Sequence, residues 1–496
     1  MTKLPNFIRV FPFFILLLPV FFVLHGFVYY YDSVPLVDAF ILLVKYLVLS
    51  GVMFCIFWLY YRDRYKASIA AFFVMTFFFF FGNVQDLLKT RLEGTFFVQY
   101  RFVLSLSFLL FLFLLLKLKK TNASLLKATA YLNILLIFLI LLDGIWLAAK
   151  VPATRKRQEF NLATEGFLPC DTCGYPDIFY IVPDQYTGNI ALKELFQFDN
   201  RKFEMELEQR GFYVSKKSSS NYNLTPFSIA STLNMDYLNL KPGRQSYSTV
   251  GYSYEVIRNS RVLKFLNACN YQFYNYSIFD FKNQPAHKYT AFLPYGTALV
   301  TSSTLFDRLK IDLRPAAEKG RFGKKLQNKL LYEYKDFNET ILDLTNTLAA
   351  KTTRSPKFVY THLIMPHYPY YFDSKGTPLS PEKLFGLKNT NAQDYVEYLK
   401  YTNNKLLQLI DHILAVASKP PIIVLLADHG FRQLNSKADH KYDFVNLNAV
   451  YFPGRKYDLM FDSIENVNEF RVIFNSFFGQ RLPILKDSTV NVLWDY

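Results

Sequence analysis

The sequence predicts a two-part chain: an α-helical membrane domain of five spans over residues 1–150, and an exported three-layer α/β domain with a mostly parallel sheet over residues 176–496, joined by a polar linker at 151–175. Three observations predict it. Hydrophobic residues make up 51% and aromatics 18%, with 51 Phe, more than a water-soluble chain needs, and they concentrate in the first 150 residues. Beyond residue 176, short apolar runs without polar alternation, as parallel strands buried on both faces require, alternate with helical patterns. Several of these runs stop at an acid or a histidine, and in open α/β sheets ligands collect beyond the carboxyl ends of strands.

Apolar stretches long enough to cross a bilayer lie at roughly 7–30, 37–60, 67–85, 99–116 and 130–149. Bulky Val28-Tyr29-Tyr30-Tyr31 follows the first, so no small-residue cleavage site is present and the segment is expected to remain as an anchor. Lys3 and Arg9, then Arg62, Arg64 and Lys66, then Lys117, Lys119, Lys120 and Lys127 fall in one set of loops, while Asp32 to Asp38 holds no Lys or Arg. That pattern sets the N-terminus inside and everything after residue 150 outside: an inner-membrane protein with its second domain on the periplasmic or extracellular side. Lys89, Arg91 and Arg155 to Arg157 oppose it, but long exported domains translocate regardless of such charges. Ionisable groups within the spans are few, chiefly Lys45, with His25, Arg101 and Asp143 near ends. An odd span count without visible repeat fits a transporter poorly, and an anchor able to guide a lipid substrate fits better.

The formal charge of +16 divides evenly, with fourteen Lys/Arg and six Asp/Glu in residues 1–150. The second domain has no basic stripe beyond short clusters such as Arg155 to Arg157 and Lys324 to Lys325, which argues against nucleic-acid binding. Four cysteines form no framework. Cys170 and Cys173 make a lone C-x-x-C that fits a local disulfide or two free thiols better than zinc, since a second pair is missing.

In chain order, Ile178 to Val182 reads as a buried strand ending at Pro183-Asp184, where Asp184 is either a turn residue or a carboxylate facing a crevice. A helical stretch follows near 191–210, then a short strand at 211–214. Thr225-Pro226 marks a helix start, with Thr225 as N-cap and Pro at the first helical position. A helix N-terminus seats phosphate or sulfate, and a hydroxyl there is a cap or a nucleophile, the cap being the simpler reading. Residues 254–268 read as one helix, 271–279 as an aromatic strand, 281–325 as loop and short helix that shape the substrate site, and 327–351 as a helix. Gly320 and Gly323-Lys324 lack phosphate-loop spacing. The strand 357–364 runs into His362 and, five residues on, His367 in a loop stiffened by Pro366 and Pro369. His362 is core or functional, whereas His367 has no core role to explain it. A helix at 392–417 leads to the central run, Pro421 to Gly430. Its strand stops at Asp428-His429-Gly430, a metal-ligand pair followed by a residue that lets the backbone turn away. Arg432, His440 and a strand at 445–452 follow.

Asp184 after a strand, Thr225 at a helix start, the His362/His367 loop, Asp428-His429-Gly430 and His440 resemble, in that order, the sulfatase-like branch of the alkaline phosphatase superfamily. Five spans before an exported domain look like its membrane-anchored lipoteichoic acid synthases and phosphoethanolamine transferases. The resemblance implies an alkaline-phosphatase-like fold and a divalent metal, Zn or Mn, held by Asp184, Thr225, Asp428 and His429. It makes Thr225 the covalent nucleophile and His367 its catalytic companion, and lets His362, Arg432 and His440 meet the substrate, with a second metal near His440. It further implies transfer or hydrolysis of a phosphoethanolamine- or phosphoglycerol-type group on an envelope lipid or glycan. Phe431 stands where the transferases carry Glu, and Gln185 where sulfatases often have an acid. Thr225-Pro226-Phe227 is not the segment a formylglycine sulfatase needs, which disfavours a sulfate-ester hydrolase. A membrane-anchored binding or assembly protein with a vestigial site is the reading from another class.

Overall fold

The structure is a computed structural model that describes residues 10–31, 33–92, 95–158, 166–170, 172–245, 247–290, 293, 295–309, 332–380, 383–384, 391–432 and 440–493. Lys3 and Arg9, the residues 327–331 assigned to a helix, and Gly320 to Lys325 lie outside them. The chain forms two compact units, one from Met1–Glu159 with Ala291–Lys319, the other from Phe160–Thr290 with Gly320–Asp495.

In the helical unit, Phe14–Tyr29 (α1) precedes Leu36–Tyr61 (α2), Arg64–Arg91 (α3), Tyr100–Lys120 (α4) and Leu126–Gln158 (α5). Among the described residues four helices, α2 to α5, are long and apolar enough to cross a membrane, and α1 is shorter, where five spans were expected. Its sixteen residues reach about 24 Å against about 30 Å of hydrocarbon. It nevertheless runs parallel to α3 and α5. Phe14 meets Phe72 edge-on and Phe22 stacks on Phe79 at 4.4 Å. Helix ends leave backbone groups unsatisfied, which is costly without water. Asn133 answers at one end of α1, accepting from Phe14 N and donating to Phe11 O, both at 2.7 Å, and Lys150 Nζ donates to Val28 O at 2.6 Å at the other. His25 Nδ1 and Asp143 Oδ1 pair between them at 3.1 Å. α5 continues through residues 151–158, where the sequence suggested a linker, because the Ala, Lys, Arg and Gln that follow Pro152 are good helix formers. From Gly166 the chain belongs to the second unit. There Leu168 N donates to Gln480 Oε1 at 3.2 Å, and Cys170 and Cys173 form a disulfide, so the C-x-x-C is not a metal knuckle.

The α/β unit is built on a six-stranded sheet of Ile178–Pro183 (β1), Tyr213–Val214 (β2), Gln272–Tyr276 (β4), Lys357–Leu363 (β5), Ile422–Leu426 (β6) and Asn448–Tyr451 (β7). Gly243–Arg244 (β3) pairs with Val492–Leu493 (β8) apart from it. Strand order is β2-β7-β6-β1-β5-β4. The four strands β6, β1, β5 and β4 are parallel, and β7 is antiparallel to both β6 and β2, so among the described residues the sheet is mixed, with β7 alone running against the other five strands. Every residue of β1, β5 and β6 is buried, as strands covered on both faces require.

The covering helices sort into two sets. Asn189–Phe196 (α6) and Arg201–Gln209 (α7) pack on Ala392–Val416 (α12), which also meets Glu333–Ala349 (α11). Thr225–Asn234 (α8) packs on Tyr247–Arg258 (α9), Arg261–Ala268 (α10) and Asn466–Phe477 (α13). Two single helices expected from the sequence are each broken in two. Gln197 takes a left-handed conformation at φ 51° between α6 and α7, and extended Ser260 opens α10 after α9. The helix α13, not foreseen, supplies Asn466 beneath β6.

Candidate metal and nucleophile site

β1 lies between β5 and β6, and all three are parallel, so their carboxyl ends emerge side by side. The register sets Val182 opposite His362 and Ile181 opposite Leu425, and Asp184 N donates to Leu363 O at 2.8 Å. Asp184, one residue past β1, His362, near the end of β5, and Asp428, two past β6, therefore meet. One ligand atom from each lies within 4.8 Å of the others, and all three side chains are buried. Among the described residues, both Asp184 oxygens, Asp428 Oδ2 and His362 Nε2 have no hydrogen-bond partner. Burying a carboxylate without compensation costs several kcal/mol, so such groups are normally paired or bound to metal. Imidazoles stand close by, with His362 Nε2 at 3.6 Å from Asp184 Oδ2 and His429 Nε2 at 3.3 Å from Asp428 Oδ2. Carboxylate oxygens and imidazole nitrogens converging on one point suit a divalent cation, so the residues present fit the group the sequence implies.

Neighbours hold these groups in place. Gln185, at φ 62°, turns its amide onto Asp428 Oδ1 at 2.9 Å, a conformation few non-glycine residues adopt. The Asp428 carbonyl accepts from Ser228 Oγ at 2.5 Å. Tyr360, two residues before His362 on the same strand face, meets His362 Nδ1 with its hydroxyl at 2.8 Å, leaving Nε2 toward the acids. His429 Nδ1 lies 2.7 Å from Gly430 O, and since a carbonyl only accepts, Nδ1 carries the proton and Nε2 presents its lone pair. Gly430 serves a purpose other than the one expected: its φ is not positive, but a Cβ there would meet Tyr442 O at 2.4 Å and Val445 O at 2.5 Å. Close approach, not a sharp turn, requires glycine.

Thr225 Oγ1 lies 3.3 Å from His429 Nε2. The expected N-cap role is corrected: extended Leu224 is the N-cap, Thr225 is the first helical residue, and no side chain caps the end. The hydroxyl thus points to the histidine instead of its own amides. The helix start adds positive dipole beside it.

His367 is half-buried, with Nδ1 2.6 Å from Tyr368 O. Burial holds its imidazole below the ordinary histidine value, while the Asp184 charge pulls the other way. For Asp184, burial raises the carboxyl, but the pull of His367, His362 and His429 outweighs it and leaves the group well below the usual carboxylate range. His440 pairs with Asp443, whose carboxyl also feels the charge of Arg432. Burial raises the Asp443 carboxyl against the opposing charges of His440, His429 and Arg432. His440 Nδ1 is 3.1 Å from Asp443 Oδ2 and its side chain is 62% exposed, so it stands at the rim, outside the buried group. Asp443, Tyr360, Ser228 and Asn466 were not singled out from sequence. Tyr360 alone left a signal, its spacing of two from a strand histidine. Phe431 packs on Tyr395 at 4.5 Å and Phe196 at 5.2 Å, so it fills core space.

No family model matches the chain, and no curated protein matches it by sequence. Solved structures similar to it include phosphoethanolamine transferases and phosphonate monoester hydrolases. One is the integral membrane protein lipooligosaccharide phosphoethanolamine transferase A from Neisseria meningitidis, at 12% identity, 94% of this chain and 95% of that one, with a TM-score of 0.38. Another is the C-terminal periplasmic domain of EcEptC from Escherichia coli in complex with Zn, at 11% identity, 62% and 84% coverage and a TM-score of 0.37. A third is the phosphonate monoester hydrolase SpPMH from Silicibacter pomeroyi, at 14% identity, 64% and 75% coverage and a TM-score of 0.39.

Proposed function

We propose that this chain is a metal-dependent enzyme that transfers or hydrolyses a phosphate-linked group on an envelope lipid or glycan, with Thr225 as covalent nucleophile. The observation that carries it is the Thr225 hydroxyl at a helix start, 3.3 Å from His429 Nε2, beside buried Asp184, Asp428 and His362 atoms with no hydrogen-bond partner. Asp184, Asp428 and His429 with the Thr225 oxygen would hold the cation, Zn or Mn, and His362 is added to that set by its place in the buried group. When bound, the cation supplies positive charge that lowers the hydroxyl pKa of Thr225 and neutralises a phosphate oxygen. Thr225 Oγ gives up its proton and attacks phosphorus, the bond to the leaving oxygen breaks and that oxygen takes up a proton, and the transferred phosphate-linked group remains esterified to Thr225 for an acceptor hydroxyl or water to resolve. His367 and Arg432 meet the phosphate and the leaving oxygen, the α8 amides share the developing negative charge, and His440 contacts substrate at the rim. The membrane unit acts as a five-span anchor in the inner membrane, α1 included, with the α/β unit on the outer side.

Intact-protein mass spectrometry after incubation with phosphatidylethanolamine or phosphatidylglycerol tests this. The wild type should carry a phosphoethanolamine or phosphoglycerol adduct on Thr225, and Thr225→Ala should carry none. Full turnover of a phosphodiester lipid by Thr225→Ala eliminates the covalent route.

A further inference from the structure

Part of the sequence between β4 and α11 does not stay with the α/β unit. Ala291–Lys319 groups with the helical unit, and its short helix Thr297–Thr301 packs on α1 and α2. Two glycines on different helices mark its seat. A Cβ on Gly26 of α1 would lie 2.4 Å from Val300 Cγ1, and one on Gly82 of α3 would lie 2.8 Å from Ser303 Cα and 2.7 Å from Arg308 Nε. Absence of a side chain lets backbone meet backbone: Gly82 N donates to Ser303 O at 2.7 Å, and Ser303 Oγ donates to Phe79 O at 3.2 Å. One helical turn on, Arg308 closes the contact, with Nη2 at 2.6 Å from Asp86 Oδ2 and Nε at 2.9 Å from Ser302 O. The Arg308 side chain is 11% exposed and that of Asp86 51%, so the guanidinium is held inside the contact while the carboxylate meets it from the open side. Gly26 and Gly82 both lie toward the carboxyl ends of α1 and α3, the end at which parallel α5 also finishes and hands the chain on to the α/β unit.

We propose that residues 295–309 are a fastening segment, latched by Arg308 and Asp86 over Gly82, and that it fits the α/β unit to substrates embedded in a bilayer. One covalent link, after α5, leaves that unit a tethered body. A second attachment to the helical unit makes its encounters with membrane substrate more intramolecular, and effective concentration rises without any new contact to substrate. Soluble substrates gain nothing from the segment. The lipid clause rests on the proposed function; the latch does not.

The test uses the full chain in nanodiscs of phosphatidylethanolamine and phosphatidylglycerol, comparing wild type, Arg308→Asp, Gly82→Leu and the charge swap Asp86→Arg/Arg308→Asp. Hydrogen exchange of residues 295–309 should quicken about tenfold in either single variant and return toward wild type in the swap. Turnover of the lipid donor should fall about tenfold in the single variants while hydrolysis of soluble bis(p-nitrophenyl) phosphate holds, and the swap should recover lipid turnover. Unchanged exchange in both single variants overturns the latch. Faster exchange with undiminished lipid turnover overturns its role. A wild type that turns over neither diester removes the proposed function, and the exchange data still decide the latch.

Discussion

Asp428→Asn isolates what the buried carboxylates are for, because it removes one charge and little else. Asparagine keeps an oxygen for the Gln185 amide, now 2.9 Å from Oδ1, and the backbone carbonyl that accepts from Ser228 is untouched. Without metal, the wild type holds both Asp184 oxygens and Asp428 Oδ2 in the interior with no hydrogen-bond partner. Neutralising Asp428 should then stabilise the metal-free protein by about 1–3 kcal/mol, the penalty of one unsatisfied buried polar group. Metal reverses the order. A ligand at 100 times its Kd stabilises by about 2.7 kcal/mol, and at about 2–4 °C per kcal/mol the wild-type midpoint should climb by about 5–10 °C. The variant, short of one charged ligand, should barely move. Scanning calorimetry of chelated protein, repeated with Zn²⁺ or Mn²⁺, reads both signs. An equal metal-induced shift in the two proteins, or a metal-free wild type more stable than the variant, refutes the view that these acids are held for a cation.

Tyr360→Phe removes the hydroxyl that fixes His362 Nδ1 and should weaken metal binding about 10–100-fold in a competitive chelator titration, with the fold retained. Glu469 is fully buried, accepts from Asn448 Nδ2 at 2.8 Å, and has its carboxyl pushed by burial from 4.5 up to about 7. Its folded pKa exceeds the unfolded one, so the folded state keeps a proton that the unfolded state has lost, and stability falls as pH rises from 4.5 to about 7. The loss is of order 3 kcal/mol, and Glu469→Gln should flatten that stretch of the denaturant-melt profile against pH; parallel profiles for the two proteins would discount it. Gly430→Ala forces a methyl to within 2.4 Å and 2.5 Å of two carbonyls, so it should cost about 1–3 kcal/mol and disturb His429, read as a lowered melting midpoint with reduced turnover.

How far the sequence reached depended on whether a signal was local. Ile178 to Val182 and Ile422 to Ala427 read as buried strands because nothing polar interrupts them, and the structure places β1 and β6 there. Helix α12 was legible because its signals are local too, apolar residues recurring at helical spacing and Asn391 accepting from the Gln393 and Asp394 amides at its start. Thr225 was misjudged as a cap because Thr-Pro favours that reading locally, whereas the helix begins one residue earlier and the hydroxyl is drawn to His429, 204 residues away. Residues 281–325 read as loop and short helix that shape the substrate site, and the seat of 295–309 was not legible because its partners, Gly26, Phe79, Gly82 and Asp86, lie in another part of the chain.

Composition and periodicity alone determined that an apolar helical half precedes an α/β half, and that acids and imidazoles stand at strand ends, since these follow from how single segments bury their own surfaces. Only tertiary structure decided which of them meet. Parallel pairing of β5, β1 and β6 brings His362, Asp184 and Asp428 to one point, and the close packing that Gly430 and Gly82 permit is set by carbonyls and side chains contributed from distant sequence. Strand order and close approach are properties of pairs of segments, and no single stretch of sequence carries them.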